Sequence, residues 1–116
     1  MRRSRTRQER LRAGREIQGL FAGGKRVEFR GVKLLYRGNG STLNRFTVVV
    51  ARGCGGAVQR NREKRITREA YRSLKDGVPR GNDLLFLVTR FGTPFRERRD
   101  AIEALLRRAG LAGRAG

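Results

Sequence analysis

The chain has 116 residues, of which 29 are Lys or Arg and 10 are Asp or Glu, a formal charge of +19. That length holds one domain with a single modest core, and a charge of this size favours a polyanionic partner, whose capture the same field accelerates. With no histidine and only one cysteine, Cys54, the commonest general base, a cysteine-rich zinc site and an internal disulfide are all excluded. The acids form no close cluster of the kind a two-metal nuclease needs, so no catalytic and no metal-binding residue is expected. There is no apolar run of spanning length and no signal sequence. The expectation is a cytoplasmic protein with no membrane contact and no disulfide-linked partner.

Residues 1–12 read as a basic flexible arm, because the first fifteen positions carry seven arginines, one glutamate and no apolar period. A single domain is expected over 13–111, followed by a flexible tail at 112–116. Ile17, Leu20 and Phe21 repeat at i, i+3 and i+4, the spacing of a short helix that Gly23-Gly24 ends and whose apolar face covers a sheet. From Phe29 to Arg37, Val32, Leu34 and Tyr36 alternate with Lys33, Leu35 and Arg37, which suits a strand with one face buried and the other partly exposed. A turn at 38–41 leads to a second strand, Arg45 to Ala51, expected to pair antiparallel with the first.

The glycine-rich segment 52–56 then opens the most informative stretch, a helix expected from Ala57 to Lys75. Winding it at about 100° per residue gathers Arg60, Asn61, Lys64, Arg65, Arg68, Arg72 and Lys75 within about 140° of arc. Gln59, Ile66, Ala70 and Leu74 fall opposite. A narrow apolar stripe docks such a helix on a core and holds the cations as an outward array suited to a line of phosphates. The plainer reading, a solvated basic face, leaves six cations repelling one another with two acids among them. Arginine outnumbers lysine 25 to 4; a GC-rich genome and selection for bidentate contacts both produce that ratio, so position on the helix carries more weight. The glycine spacing fits neither a nucleotide P-loop nor a dinucleotide fingerprint and reads as a tight connector that also reaches RNA backbone.

Beyond a loop at 76–82, the apolar run Leu84–Val88 suits a strand covered on both faces. Thr93 is expected to cap, and Pro94 to open, a last helix with Phe95, Ile102, Leu105, Leu106 and Ala109 inward and Gly110 at its end. The order α-β-β-(β)-α-β-α gives an α+β fold, a two-layer α-β sandwich.

From Val50 the chain reads VARGCGGAVQRNREKRITRE, which closely resembles the bacterial ribonuclease P protein component, whose pattern is V-S-K-K-x-G-x-A-V-x-R-N-R-x-K-R-x-x-R-E. Gly55, Ala57-Val58, Arg60-Asn61-Arg62, Lys64-Arg65 and Arg68-Glu69 match, and the likeness runs from about Leu11 to Leu111. The resemblance implies a left-handed β-α-β crossover through the basic helix, an exception to the usual hand. It also implies an RNA partner that performs the chemistry: the protein binds the catalytic RNA subunit and the 5′ leader of precursor tRNA, and magnesium, held mainly by the RNA, serves leader removal. Carried over by position, Arg60, Asn61, Arg62, Lys64, Arg65 and Arg68 contact the RNA subunit, and Phe21, Arg52 and Arg90 line the leader cleft with Tyr36 a looser member. Stacking aromatics and scattered arginines suit a sequence-tolerant single-strand groove, although Phe21 shares a face with Ile17 and Leu20 and could equally be core.

Three departures stand against the pattern. Ile17 replaces a usual aromatic, Arg52-Gly53 replaces two lysines, and Glu63 replaces a usually apolar residue. A buried unpaired carboxylate is costly, so Glu63 is expected at the rim or paired with a neighbouring arginine. The alternative reading is a structural RNA-binding protein of ribosomal type with no part in cleavage; an autonomous nuclease is disfavoured by the missing histidine and acid cluster.

Overall fold

The computed structural model describes residues 14–53 and 55–111, so the expected arm, the tail and Cys54 lie outside the described residues. In chain order the elements are α1 (Gly14–Gly23), β1 (Lys25–Phe29), β2 (Val32–Gly38), β3 (Arg45–Val50), α2 (Ala57–Arg72), a 3-10 turn (Lys75–Gly77), β4 (Asn82–Val88) and α3 (Phe95–Arg108). β1 and β2 form a hairpin in which Phe29 pairs with Val32. Its two turn residues, Arg30 and Gly31, have φ of 49° and 82°, the left-handed pair that matches the twist of the flanking strands. Glycine adopts this conformation freely, whereas Arg30 does so at a steric cost. Arg30→Asn, which creates the preferred Asn-Gly turn, is expected to stabilise the fold by about 0.5 kcal/mol, read as a rise of roughly 2–4 °C in melting temperature.

The sheet order is β1-β2-β4-β3. This corrects the expected pairing of the second and third strands, because β4 lies between them, antiparallel to β2 and parallel to β3. Burial explains the order. Asp83 through Phe86 are buried consecutively, whereas β3 alternates buried and half-buried residues; the strand apolar on both faces takes the centre and the alternating one an edge. β3 and β4 are joined through α2, the crossover between parallel neighbours that the resemblance implies.

The two faces of the sheet carry separate apolar clusters. Val32, Leu34, Phe46, Val48, Val50, Leu84, Phe86 and Val88 pack against Ala70 and Tyr71 of α2 and Ile102, Leu105 and Leu106 of α3. On the opposite face Leu20 of α1 sits on Leu35 and Leu85, with Ile17, Val49 and Leu87 around them. The sandwich therefore has α2 and α3 together on one face and α1 across part of the other.

α2 ends at Arg72 rather than Lys75. Ser73 donates its hydroxyl to the Ala70 carbonyl at 2.7 Å, and the amide of Leu74 turns back to Tyr71 at 2.8 Å, tightening the chain into the 3-10 turn. Its buried stripe is Glu63, Ile66, Thr67, Ala70 and Tyr71, with Gln59 exposed. Tyr71 draws the helix toward the sheet by packing its ring 4.5 Å from Phe46 and 5.3 Å from Phe86.

α3 begins one residue later than expected. Pro94 is itself the N-cap, in extended geometry with no side-chain cap, and its carbonyl takes the first helical bond from the Arg98 amide at 3.0 Å. The other end is as expected: Gly110 has φ +75°, its amide bonds Arg107, and the Leu111 amide bonds Leu106 at 2.8 Å. This is a Schellman motif, and Leu111 completes it by joining the core.

Candidate nucleic-acid interface

α1 is held to the sheet by an ion-pair chain rather than by apolar contact alone. Arg45, the first residue of β3, donates from Nε and Nη2 to the two carboxylate oxygens of Asp83, each at 2.9 Å, and from Nη1 to Glu16 of α1 at 2.9 Å. Asp83 is 1% exposed and also accepts from Asn39 Nδ2 at 2.9 Å, so its burial is compensated. Asp83's hydrogen bonds hold the Arg45 guanidinium above its ordinary pKa against the opposing effect of burial, and Glu16 adds to the rise. A cation with a raised folded-state pKa contributes its full stability below the unfolded value and loses it as pH climbs through the folded one; for guanidinium that lies far to the alkaline side of neutrality.

Helical geometry then places Phe21. It sits about 140° around α1 from Glu16 and about 160° from Gly19; Glu16 meets Arg45, and Gly19 is covered by the Arg37 guanidinium. Arg37, Asp83 and Arg45 form one register row across the sheet. Leu20 covers the next row on this face, through Leu35 and Leu85. Phe21 therefore projects from the opposite flank of α1, over the row Lys33, Leu87, Val49, and is 39% exposed. That exposure sets it apart from both apolar clusters.

At the far end of this open strip, β3 and β4 finish as parallel neighbours at Val50 and Val88. Arg52 and Arg90 each follow by two residues, and both are exposed. The ends of adjacent parallel strands bring these two arginines to one edge of the sheet. Tyr36 is not brought there: it pairs with Leu84 and packs on the core shared with α2 and α3, on the face away from Phe21.

The same edge carries the start of α2. Gly55 has φ +87°, and a side chain there would overlap the Gln59 amide, so the connector requires glycine at this point. Arg60 folds back to donate from Nη1 to the Gly55 carbonyl at 2.8 Å, bracing the loop. Asn61, Arg62 and Arg65 are exposed, and Lys64, Arg68 and Arg72 are half-buried. Of the array expected from the helical wheel, Asn61, Lys64, Arg65, Arg68 and Arg72 stand on α2, with Arg60 turned partly to structure and Lys75 beyond the helix in the 3-10 turn.

Glu63 is 1% exposed and paired, but with an arginine distant in sequence. Arg98 Nη2 of α3 lies 3.0 Å from Glu63 Oε1, and both side chains are almost wholly buried; Arg62 approaches the other oxygen at 3.7 Å. Arg98 also donates to Thr67 Oγ1 at 2.9 Å and to the Arg90 carbonyl at 3.1 Å, while Glu63 Oε2 accepts the Gly92 amide at 2.8 Å. This network staples the segment carrying Arg90 to both helices. Sequence reasoning missed Arg98 because a guanidinium reads as exposed, although its place four residues before Ile102 and seven before Leu105 sets it on the apolar stripe of α3.

Two cationic surfaces result, one on the outer face of α2 and one at the strand ends beside the α1 strip, where Arg52 is exposed and the Arg90 side chain lies over the Gly31 turn. Among the described residues no three acidic or cysteine side chains converge to hold a metal ion, and no helix is long and apolar enough to cross a membrane.

A single α+β domain presenting an array of cations on one helix has the build of a nucleic-acid-binding protein. The sequence model described as "Ribonuclease P" matches residues 6–110, and this chain belongs to that family. Among curated proteins called ribonuclease P protein component, that of Caldanaerobacter subterraneus is 30% identical over 103 residues, covering 87% of this chain and 89% of its own length. That of Desulfotalea psychrophila is 38% identical over 78 residues, covering 67% and 65%. The solved ribonuclease P protein from Thermotoga maritima is 31% identical with a TM-score of 0.76, covering 86% of this chain and 96% of that one. A Staphylococcus aureus counterpart, at 20% identity and a TM-score of 0.79, shares the fold.

Proposed function

We propose that this chain is the protein subunit of ribonuclease P, which binds a catalytic RNA and the single-stranded 5′ leader of precursor tRNA and so aids endonucleolytic removal of that leader. The observation that carries the reading is the pair of cationic surfaces, one on the outer face of α2 and one beside the α1 strip. In this reading Asn61, Arg62, Lys64, Arg65 and Arg68 face the RNA subunit, with Arg60 shaping the loop that leads to them, and Phe21, Arg52 and Arg90 grip the leader. Tyr36, packed on the core shared with α2 and α3, is left out of this leader-binding set.

The chain's own work is electrostatic and positional. Guanidinium groups beside RNA phosphates offset the repulsion that magnesium must otherwise neutralise, and a grip on the leader favours precursor over product. Magnesium does not fit the cationic side chains of either surface, so in this reading it is held by the RNA and the hydrolysis is the RNA's. Each phosphate contact steepens the fall of affinity with salt by a log-log slope of about 0.7 for single strands.

The test mixes the full-length protein, its cognate catalytic RNA and a precursor tRNA at low magnesium and follows release of the 5′ leader, with RNA-only and protein-only controls. The expected result is cleavage that needs both components. RNA binding with no gain in cleavage would instead favour the structural RNA-binding alternative.

A further inference from the structure

Lys33 stands out on the open face of the sheet. Its neighbours Val32 and Leu34 are fully buried toward α2 and α3, so strand alternation turns Lys33 to the α1 face. There it pairs across β4 with Leu87 and, through Leu87, with Val49, two apolar residues at the margin of the α1 cluster. Lys33 is half-buried, and no hydrogen bond or ion pair is formed by its ammonium among the described residues. Glu28 is its register partner on β1 but remains exposed and forms no ion pair with it. A lysine in such a place lays its stem along apolar surface and keeps its charge free at the rim.

We propose that Lys33 is a leader-binding residue, its stem covering Leu87 and Val49 and its ammonium contacting a backbone phosphate of the single strand lying under Phe21. The inference rests on the leader-cleft reading above. Lys33 lies three residues before the Arg52–Arg90 edge when counted along β4 from Leu87 to Arg90, which continues the cationic track from the strand ends to the aromatic. It also returns to the cleft a cation that the connector lacks at Gly53. As a point charge on a flexible stem, lysine suits phosphate contact without base selection.

The experiment uses holoenzyme reconstituted from the full-length protein and its catalytic RNA, and measures affinity for precursor tRNA and for mature tRNA across a salt series. Lys33→Met keeps the stem and removes the charge; Lys33→Arg keeps the charge. Losing one single-strand phosphate contact is expected to lower precursor affinity about fivefold at 0.1 M salt and reduce the log-log salt slope by about 0.7, with mature tRNA unaffected and Lys33→Arg close to wild type. An unchanged slope and affinity in Lys33→Met, with the wild type still preferring precursor, overturns the assignment of Lys33 and leaves the cleft reading intact. Equal losses for both tRNAs, or a loss shared by Lys33→Arg, place the effect in the sheet and overturn it too. A wild-type holoenzyme that binds precursor and mature tRNA equally removes the cleft reading itself, and Lys33 with it.

Discussion

Arg98→Ala is expected to destabilise the protein by about 3–5 kcal/mol, because it strands the Glu63 carboxylate in an interior it occupies only when paired. For a domain of this size that is a fall of more than about 12 °C in melting temperature, readable by calorimetry or circular dichroism. Glu63→Ala should cost a similar amount by leaving the guanidinium. The pair itself is worth much less than either single loss suggests. Replacing both residues together, as Glu63→Leu with Arg98→Met, removes the desolvation of two ions and should recover most of the stability. What the double variant cannot recover is the hold on the Gly92 amide and the Arg90 carbonyl. Precursor binding is therefore expected to fall in a double variant that melts almost normally. If each single variant melts within about 1 kcal/mol of wild type, the buried pair is not what secures α2 to α3.

Arg65→Ala and Phe21→Ala should separate the two surfaces. Arg65 is exposed on the outer side of α2, and losing a charge-assisted contact of about 1.5–3 kcal/mol should weaken assembly with the catalytic RNA by roughly 10- to 150-fold. Precursor binding by holoenzyme assembled at saturating protein should change little. Phe21 projects from the far flank of α1, and losing one stacked base is worth about 1–3 kcal/mol, so precursor affinity should fall roughly 5- to 150-fold while assembly is retained. Titrating protein against catalytic RNA gives the first quantity, and titrating assembled holoenzyme against precursor and mature tRNA gives the second. Equal effects of both substitutions on both quantities would remove the division of labour.

The basic helix was legible because its signal is local. Repulsion among Arg60, Lys64, Arg65, Arg68 and Arg72 acts over one or two turns, and only an outward face accommodates it. The stop at Gly110 was legible for the same reason, since a left-handed residue ends a helix wherever it stands. The stripe beneath the helix was read less well. Thr67 and Tyr71 owe their burial to Arg98 and to the rings of Phe46 and Phe86, partners that no periodicity within α2 reveals; the wheel does set Glu63 on the buried side, but not beside Arg98.

By itself, the sequence determined the charge, the absence of histidine, the α+β alternation of elements and the RNR block that marks the family. These depend on composition and on neighbours within a few positions. Only the tertiary structure decided that β4 enters between β2 and β3, that Tyr36 and Phe21 lie on opposite faces, and that Arg52, Arg90 and the start of α2 share one edge. Strand order is a choice among long-range pairings whose local patterns are alike, and burial on both faces of β4 settles it. With β4 central and parallel to β3, arginines 38 positions apart in the chain, Arg52 and Arg90, come to the same edge of the sheet.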